Sequence, residues 1–199
     1  MNQFVEQIEK QMKQLLPAKR YEHTVGVAYM AASLAMCYGE DVEKSMIAGL
    51  LHDNAKYIPF EVAFEECDKA GIIVSESERN SPMLLHGKLG AYYARTKYGI
   101  SEEEILSAIV YHTTGRPAMT FLEKNIFLSD YIEVHRTQNT KPTLDVIRTT
   151  AFRDLDLAVY YALDNTLQFL KRNNRFIDNM SFEALNYYQL IINKKNSLL

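Results

Sequence analysis

Apolar side chains recur every three to four positions along most of the chain, which is the spacing of one face of an α-helix. The first stripe comprises Phe4, Ile8, Met12 and Leu15, and Pro17 ends it. Alternation with a period of two, the signal of a half-buried strand, is nowhere sustained. The pattern therefore predicts an all-α protein.

Capping residues and helix breakers divide the pattern into separate helices. The predicted helices run from Tyr21 to Gly39, from an Asp41 cap to His52–Asp53, from Phe60 to Ala70, from Leu84 to Tyr98, from a Ser101–Glu104 capping box to about His112, from about Thr120 to Val134 and from Thr143 to Lys171, with a last helix capped by Ser181. Residues 72–82 are predicted to form a loop. Because no repeat or linker interrupts the chain, we expect residues 1–199 to form a single domain. Its motif core is about 20–136, and C-terminal helices at 143–194 pack on it.

Composition narrows the classes of function. The net charge of the 199 residues is −3, so the chain lacks the overall positive charge that would attract nucleic acid, and no nucleic-acid partner is expected. The cysteines, Cys37 and Cys67, form no ligand pattern, which fits a reducing cytoplasm. The first 16 residues lack a secretory apolar core, and no apolar run approaches the roughly 20 residues that span a bilayer. We expect a cytoplasmic protein without a membrane partner.

Several acids and histidines fall on the apolar faces of different predicted helices. They are His23, Asp53, His86, His112 and Asp130, each in line with apolar residues three, four or seven positions away. One such histidine alone is more often a hydrogen-bonded core residue. Several buried ionisable groups together are costly unless they share a compensating centre. Metal ions bind histidine nitrogen and aspartate oxygen, and helical bundles often hold metals between helices.

The adjacent pair His52 and Asp53 follows an apolar run of small residues. Neighbours on a helix point roughly 100° apart, so both can bind one ion only if it lies between them and off the helix axis. The other ligands must then come from other helices, and His23 and Asp130 are the natural candidates. Ala48 and Gly49, about one turn earlier, would let a neighbouring helix come close, although ordinary helix packing explains them at least as well.

Five blocks of sequence around these residues resemble the YqeK-like family of the HD-domain metal-dependent phosphohydrolase superfamily, bacterial hydrolases that cleave dinucleoside tetraphosphates symmetrically. The blocks are Tyr21–Ala28, Ala48–Lys56, Leu85–Gly87, His112–Gly115 and Ser129–Glu133. The resemblance extends over roughly Arg20 to Arg136. It implies an HD-type helical bundle and cleavage of diadenosine tetraphosphate into two ADP. It also implies a bound divalent metal, with iron expected.

The resemblance assigns roles to individual residues. The metal ligands implied are His23, His52, Asp53 and Asp130. His86 and His112 match positions that contact the nucleotide phosphates or complete a second metal site. Thr113, Lys56 and Arg136 match positions near the bound nucleotide.

A chemical mechanism follows from this assignment. A divalent metal activates water for attack on a phosphoanhydride, and Asp53 binds the metal and orients that water. His86 and His112 stabilise the phosphoryl oxygens or assist the leaving phosphate. Lys56 supplies a point charge and Arg136 a forked donor. Weaker candidates for binding substrate are Arg20, Lys171 and Arg175.

Two other functions stay open at this point. The chain could be another HD phosphohydrolase, acting on nucleoside monophosphates, nucleoside triphosphates or guanosine alarmones. It could also be a non-catalytic nucleotide-sensing module on the same fold. The sequence decides neither the metal (iron, manganese, zinc or another) nor whether one or two ions bind. A homodimer is an open alternative to a monomer.

Overall fold

The structure is a computed structural model that describes residues 2–137 and 140–197, and within these ranges it consists of helices and their connections. The helices are α1 Gln3–Leu15, α2 Ala18–Tyr38, α3 Val42–Leu51, α4 Phe60–Lys69, α5 Glu76–Asn80, α6 Leu85–Tyr98, α7 Glu103–Tyr111, α8 Phe121–Ile132, α9 Leu144–Ala151, α10 Leu155–Arg172 and α11 Asn179–Asn196. A 3-10 turn, Pro82–Leu84, leads into α6. The all-α prediction is confirmed. Among the described helices, none is both long enough and apolar enough to cross a membrane.

The N-terminal half of the chain departs from the sequence predictions in two places. The inward face of α1 is formed by Val5, Ile8 and Met12, whereas Phe4 and Leu15 are 38% and 49% exposed. The stripe was therefore predicted one position out of register at its start. The segment predicted as a loop at 72–82 contains α5, because Ser75 begins a capping box that supports one further turn of helix.

Three predicted caps or spans in the rest of the chain are wrong. The segment from Thr143 to Lys171 is two helices, because the Asp154 side chain accepts the N–H of Leu157 and starts α10 anew. No capping box forms at Ser101, whose hydroxyl bonds instead to the neighbouring Glu102 carboxylate. The N-cap of α11 is Asp178 and not Ser181. An aspartate carboxylate accepts helix N–H groups at least as well as a serine hydroxyl.

Helices α2 and α8 lie between two apolar cores. One core joins α1, α2, α3, α6, α7 and the start of α8. The other joins α9, α10 and α11 to Leu34 of α2 and to the C-terminal half of α8. A third, smaller core lies under α4 and α6. Since α2 and α8 carry His23 and Asp130, these two residues are held by packing from both sides.

Helix α3 packs closely against α2 because Gly49 has no side chain. A Cβ at Gly49 would lie 2.7 Å from the Ala28 Cα atom, which is closer than any real contact. The close approach expected at Gly49 is therefore confirmed, with α2 as the neighbouring helix. It brings the rings of His23 and His52 to 5.5 Å between centroids.

Helices α6 and α7 meet in the same way. A Cβ at Gly87 would lie 2.6 Å from the backbone carbonyl oxygen of Val110. Because a backbone atom cannot rotate away as a side chain can, only glycine permits this separation. The rings of His86 and His112 consequently lie 4.9 Å apart.

Arg148 binds the C-terminal end of α8. The Arg148 guanidinium donates to the backbone carbonyls of Ile132 at 2.8 Å, Glu133 at 2.9 Å and Arg136 at 3.1 Å. The last carbonyls of a helix have no partner within the helix, so these bonds satisfy groups that would otherwise need water. They also fix the segment that follows Asp130.

Candidate metal centre

The His52–Asp53 pair lies where α3 ends. His52 is the C-cap residue, Asp53 begins the following turn, and both side chains are buried. The His52 Nδ1 atom lies 2.6 Å from the Gly49 carbonyl, which is free because the helix ends there. This hydrogen bond leaves Nε2 of His52 directed at the neighbouring helices.

A first cluster of candidate ligands joins three elements. His23 of α2, His52 after α3 and Asp130 of α8 each place one ligand atom within 4.8 Å of the others. The Asp130 Oδ1 atom lies 3.0 Å from His23 Nε2 and 4.0 Å from His52 Nε2. The structure thus places His23 of α2 and Asp130 of α8 beside His52, and their binding of a metal stays a prediction.

A second cluster lies beside the first. It consists of Asp53, His86 and His112, whose ligand atoms are again within 4.8 Å of one another. The Asp53 Oδ1 atom lies 3.1 Å from His86 Nε2 and 3.5 Å from His112 Nε2, and these two nitrogens are 3.0 Å apart. All three side chains are buried.

Asp53 joins the two clusters. Its Oδ2 atom lies 3.4 Å from His52 Nε2, whereas its Oδ1 atom faces His86 and His112. A carboxylate with one oxygen toward each group can bind one ion or bridge two. The arrangement thus accommodates either metal count.

The ionisation of the second cluster suits metal binding. Burial alone would raise the pKa of Asp53, but the charge of His52 and the polar contacts with His112, His52 and His86 outweigh it and hold that pKa well below its usual value. Burial lowers the pKa of His112 to about 4 against the opposing polar contact with Asp53. An ionised carboxylate and a neutral imidazole are the forms that bind metal.

Burial and neighbouring charges also have opposite effects on the pKa values of the first cluster. Burial would raise the pKa of Asp130, but the polar contact with His23 and the charges of Arg136 and His52 bring it well below its usual value. Burial would lower the pKa of His52, but the charge of Asp53 outweighs the effect of burial and raises the pKa of His52 above its usual value. A proton and a metal ion therefore compete for His52.

Three buried atoms at the junction have no hydrogen-bond partner within the described part of the chain. They are His23 Nε2, His52 Nε2 and Asp53 Oδ1. Buried polar atoms without a partner are costly and rare, and metal binding at the two clusters would remove this cost. The mixed nitrogen and oxygen donors suit a divalent transition metal. The residues present therefore fit a divalent metal ion.

Three cationic side chains approach this junction. Arg20 Nη1 lies 2.9 Å from Asp53 Oδ2, and Arg136 Nη2 lies 2.5 Å from Asp130 Oδ1. Lys56 Nζ lies 3.4 Å from Asp53 Oδ1 and 3.1 Å from His86 Nε2. Their side chains keep between 24% and 30% of their surface exposed, so they reach the site from its open side. All three were predicted from the sequence as phosphate-binding candidates.

The other predicted binding residues lie further out. Thr113 follows His112 and lines a cavity of about 360 Å³ together with residues of α11. Lys171 and Arg175 are exposed at the C-terminal end of α10, where the Arg175 guanidinium lies 5.7 Å from the centre of the Phe169 ring. No contact within the described ranges joins Lys171 or Arg175 to either cluster. Their role in binding nucleotide stays a prediction.

The sequence reasoning missed one buried acid beside the centre. Glu133 is 1% exposed, and its Oε1 atom lies 3.1 Å from His23 Nδ1. It follows Asp130 by three positions, and residues three apart lie on neighbouring positions of one helix face. That spacing places Glu133 near Asp130, but it does not reveal the contact with His23, which lies 110 positions away.

The fold and the site define a class of protein. Separate elements of an all-α bundle bring four histidines and two aspartates to one junction, with cations on the open side. Such an arrangement is that of a helical metal-dependent phosphohydrolase. Residues 20–140 match the family model described as "HD domain". The chain belongs to the HD domain family, and within it to the group of the relatives described next.

These relatives are similar over nearly their whole length. Proteins named "Bis(5'-nucleosyl)-tetraphosphatase, symmetrical" are 38% identical in Halalkalibacterium halodurans, covering 92% of this chain and 95% of that protein, and 39% identical in Bacillus subtilis, covering 88% and 92%. A crystal structure from Clostridium acetobutylicum, of a protein described as a "predicted HD superfamily hydrolase involved in NAD metabolism", superimposes with a TM-score of 0.87 at 39% identity. It covers 92% of this chain and 95% of that one. The HD-type helical bundle is confirmed.

Proposed function

We propose that the chain hydrolyses diadenosine tetraphosphate symmetrically to two ADP. The observation that carries this proposal is the position of Asp53, shared between two ligand clusters and approached by three cations. The names of the relatives from H. halodurans and B. subtilis support the choice of substrate. In the reaction, water adds to one of the two central phosphorus atoms. The bond from that atom to the central bridging oxygen breaks, and the second ADP leaves on that oxygen.

We assign the metal ligands as His23, His52, Asp53 and Asp130, with iron as the ion and manganese as the alternative. A bound divalent ion supplies activation of water and neutralisation of phosphate charge. Asp53 holds the attacking water in line by accepting its hydrogen bond, since this carboxylate faces both clusters. The mixed imidazole and carboxylate donors are compatible with iron, and the choice between metals depends on geometry and availability.

The cationic side chains and the second cluster are proposed to bind the phosphates and to stabilise their charge. Arg136 offers a planar fork and Lys56 a compact charge to the phosphoryl oxygens, and Arg20 lies close enough to assist. When protonated or metal-bound, His86 and His112, whose Nε2 atoms face Asp53, would stabilise the developing charge or assist the leaving phosphate.

Two cavities offer space for the two nucleoside halves. One of about 640 Å³ is lined by Tyr131, the residue after Asp130, and by Phe169, whose ring can stack on a base. The other, of about 360 Å³, is lined by Thr113, the residue after His112. Asp130 and His112 belong to different clusters, so the cavities suit the two ends of one symmetric molecule. Lys171 and Arg175, near Phe169, would bind one ADP half.

We further propose that residues 1–199 act as one HD domain in the cytoplasm. The expected partner is a dinucleoside polyphosphate or an ADP-like nucleotide, without nucleic acid. A homodimer is the alternative to a monomer.

The test of the proposed function is product identification on a panel of nucleotides. The purified protein, loaded with iron(II) or manganese(II), is incubated with diadenosine tetraphosphate, AMP, dGTP and guanosine tetraphosphate, and products are separated by anion-exchange chromatography. We expect ADP as the sole product from diadenosine tetraphosphate and no comparable turnover of the others.

Each rival predicts a different outcome of that panel. Free phosphate from AMP, or tripolyphosphate from dGTP, would indicate another type of HD phosphohydrolase. Equal amounts of ATP and AMP from diadenosine tetraphosphate would indicate asymmetric cleavage. Tight nucleotide binding without any turnover would indicate a sensing module and would contradict the proposal.

A further inference from the structure

All four histidines of the centre turn Nε2 inward and place Nδ1 against an acceptor. For three of them the acceptor is the backbone carbonyl three residues earlier. These pairs are His52 with Gly49 at 2.6 Å, His112 with Ile109 at 2.7 Å, and His86 with Met83. His52 and His112 follow the last residues of α3 and α7, where carbonyls lack helical partners, and Met83 lies before the start of α6. Their ring orientation is therefore fixed by local backbone.

His23 has no backbone carbonyl available to accept a hydrogen bond from its Nδ1 atom. It lies inside α2, where the preceding carbonyls accept the hydrogen bonds of the helix itself. Its acceptor is instead Glu133, a residue 110 positions away, whose Oε1 atom lies 3.1 Å from His23 Nδ1. The other oxygen of Glu133 accepts the backbone N–H of His135 at 2.7 Å. Both oxygens of this buried carboxylate are therefore engaged, and its orientation is fixed.

The sequence of α2 makes room for this carboxylate. Gly26 is one turn beyond His23, and a Cβ at that position would lie 2.5 Å from Glu133 Oε2. A glycine inside a helix costs up to about 1 kcal/mol relative to alanine. The close contact explains why a glycine occupies position 26: without a side chain there, Glu133 can lie against α2 beside His23.

We propose that Glu133 is a positioning residue that holds His23 with its proton on Nδ1 and its Nε2 lone pair toward the metal. A neutral imidazole carries a single ring proton, so an acceptor at Nδ1 decides that Nε2 is the metal-binding atom. A carboxylate at the second nitrogen also makes the ligand more basic. The inference rests on the metal centre proposed above, but not on the identity of the substrate.

The first test measures zinc affinity, because Zn²⁺ binds the same imidazole and carboxylate donors and needs no substrate. Metal-free protein competes with a chromophoric chelator for Zn²⁺. We expect Glu133→Ala to raise the dissociation constant about 10- to 100-fold. Glu133→Gln should give a smaller rise, because its amide oxygen still accepts from Nδ1–H but without the charge that strengthens the bond. Gly26→Ala should weaken binding although Glu133 itself is intact.

A matched control separates positioning from the general loss of a buried acid. Glu123, on α8, is fully buried and pairs with Arg116 at 2.8 Å, away from the centre. We expect Glu123→Ala to lower stability and to leave zinc affinity unchanged. The inference would be overturned if the two single variants, Glu133→Gln and Gly26→Ala, were both folded by circular dichroism and both bound Zn²⁺ with wild-type affinity.

The second test observes the ring directly. Protein labelled with ¹⁵N at histidine and loaded with Zn²⁺ is recorded by long-range ¹H–¹⁵N correlation. We expect the His23 proton on Nδ1 in the wild type, and a changed Nδ1 signal in Glu133→Gln. Coordination of Zn²⁺ through Nδ1 of His23 would contradict the proposal. If the wild-type protein binds no metal at all, both the proposed metal centre and this inference are wrong. If the wild type binds metal and the variants bind it equally well, only the role of Glu133 is wrong.

Discussion

Asp53→Asn is expected to lower kcat for diadenosine tetraphosphate by about 10³-fold or more. The asparagine keeps the shape of the side chain but removes the negative charge shared by both clusters. One of its two inward atoms becomes an NH₂ group, which cannot bind a metal. Initial rates of ADP formation at saturating metal and substrate measure the effect. Metal content of the purified variant should fall with the activity.

The stability of the metal-free Asp53→Asn protein is expected to fall as well. Arg20, Lys56 and His52 lose their shared counter-charge, and breaking a buried ion pair from one side costs roughly 3–5 kcal/mol. The value should be nearer the lower end, because Arg20 and Lys56 are partly exposed to water. Asp68→Asn, an exposed acid on α4, is the matched control with wild-type rate and stability. An Asp53→Asn protein with more than a tenth of the wild-type rate would contradict the assigned role.

Gly87→Ala is expected to damage both stability and catalysis. The new methyl group would overlap the Val110 carbonyl oxygen, so α6 and α7 must move apart. Overpacking of this kind costs about 1–3 kcal/mol, which lowers the melting temperature by about 2–4 °C for each kcal/mol. The same movement separates His86 from His112. A displacement approaching 1 Å at reacting groups costs on the order of 10²-fold in rate.

Gly90→Ala, one turn further along α6, is the comparison for this prediction. Its Cβ would meet side-chain atoms of Asn54 and Ile109 at 3.3 Å, and these can shift by a few tenths of an ångström. Differential scanning calorimetry and kcat should therefore show a small change for Gly90→Ala and a large one for Gly87→Ala. Equal effects at the two positions would mean that the close contact with Val110 does not set the helix separation.

The helical class and most of the site could be read from the sequence because both depend on periodicity. His23, His86 and His112 follow apolar neighbours at helical spacing, and burial on those faces brings them inward. The adjacency of His52 and Asp53 predicted further ligands from other helices, and α2 and α8 place His23 and Asp130 beside them.

Other features depend on competition between local hydrogen bonds, which periodicity does not rank. Asp154 interrupts a continuous apolar pattern by capping a new helix, and Asp178 takes the cap expected of Ser181. The contact between Glu133 and His23 joins residues 110 positions apart, so no local pattern reveals it. The grouping of Asp53 with His86 and His112 likewise depends on how closely α6 approaches α7.

The most direct test of the account is a metal titration of wild-type protein followed by two readouts in parallel. Protein stripped of metal receives increasing iron(II) under anaerobic conditions, and bound metal per chain is measured by elemental analysis beside the rate of ADP formation from diadenosine tetraphosphate. The account predicts that ADP formation is absent from the stripped protein and rises in step with occupancy. Undiminished ADP formation at zero bound metal would contradict it.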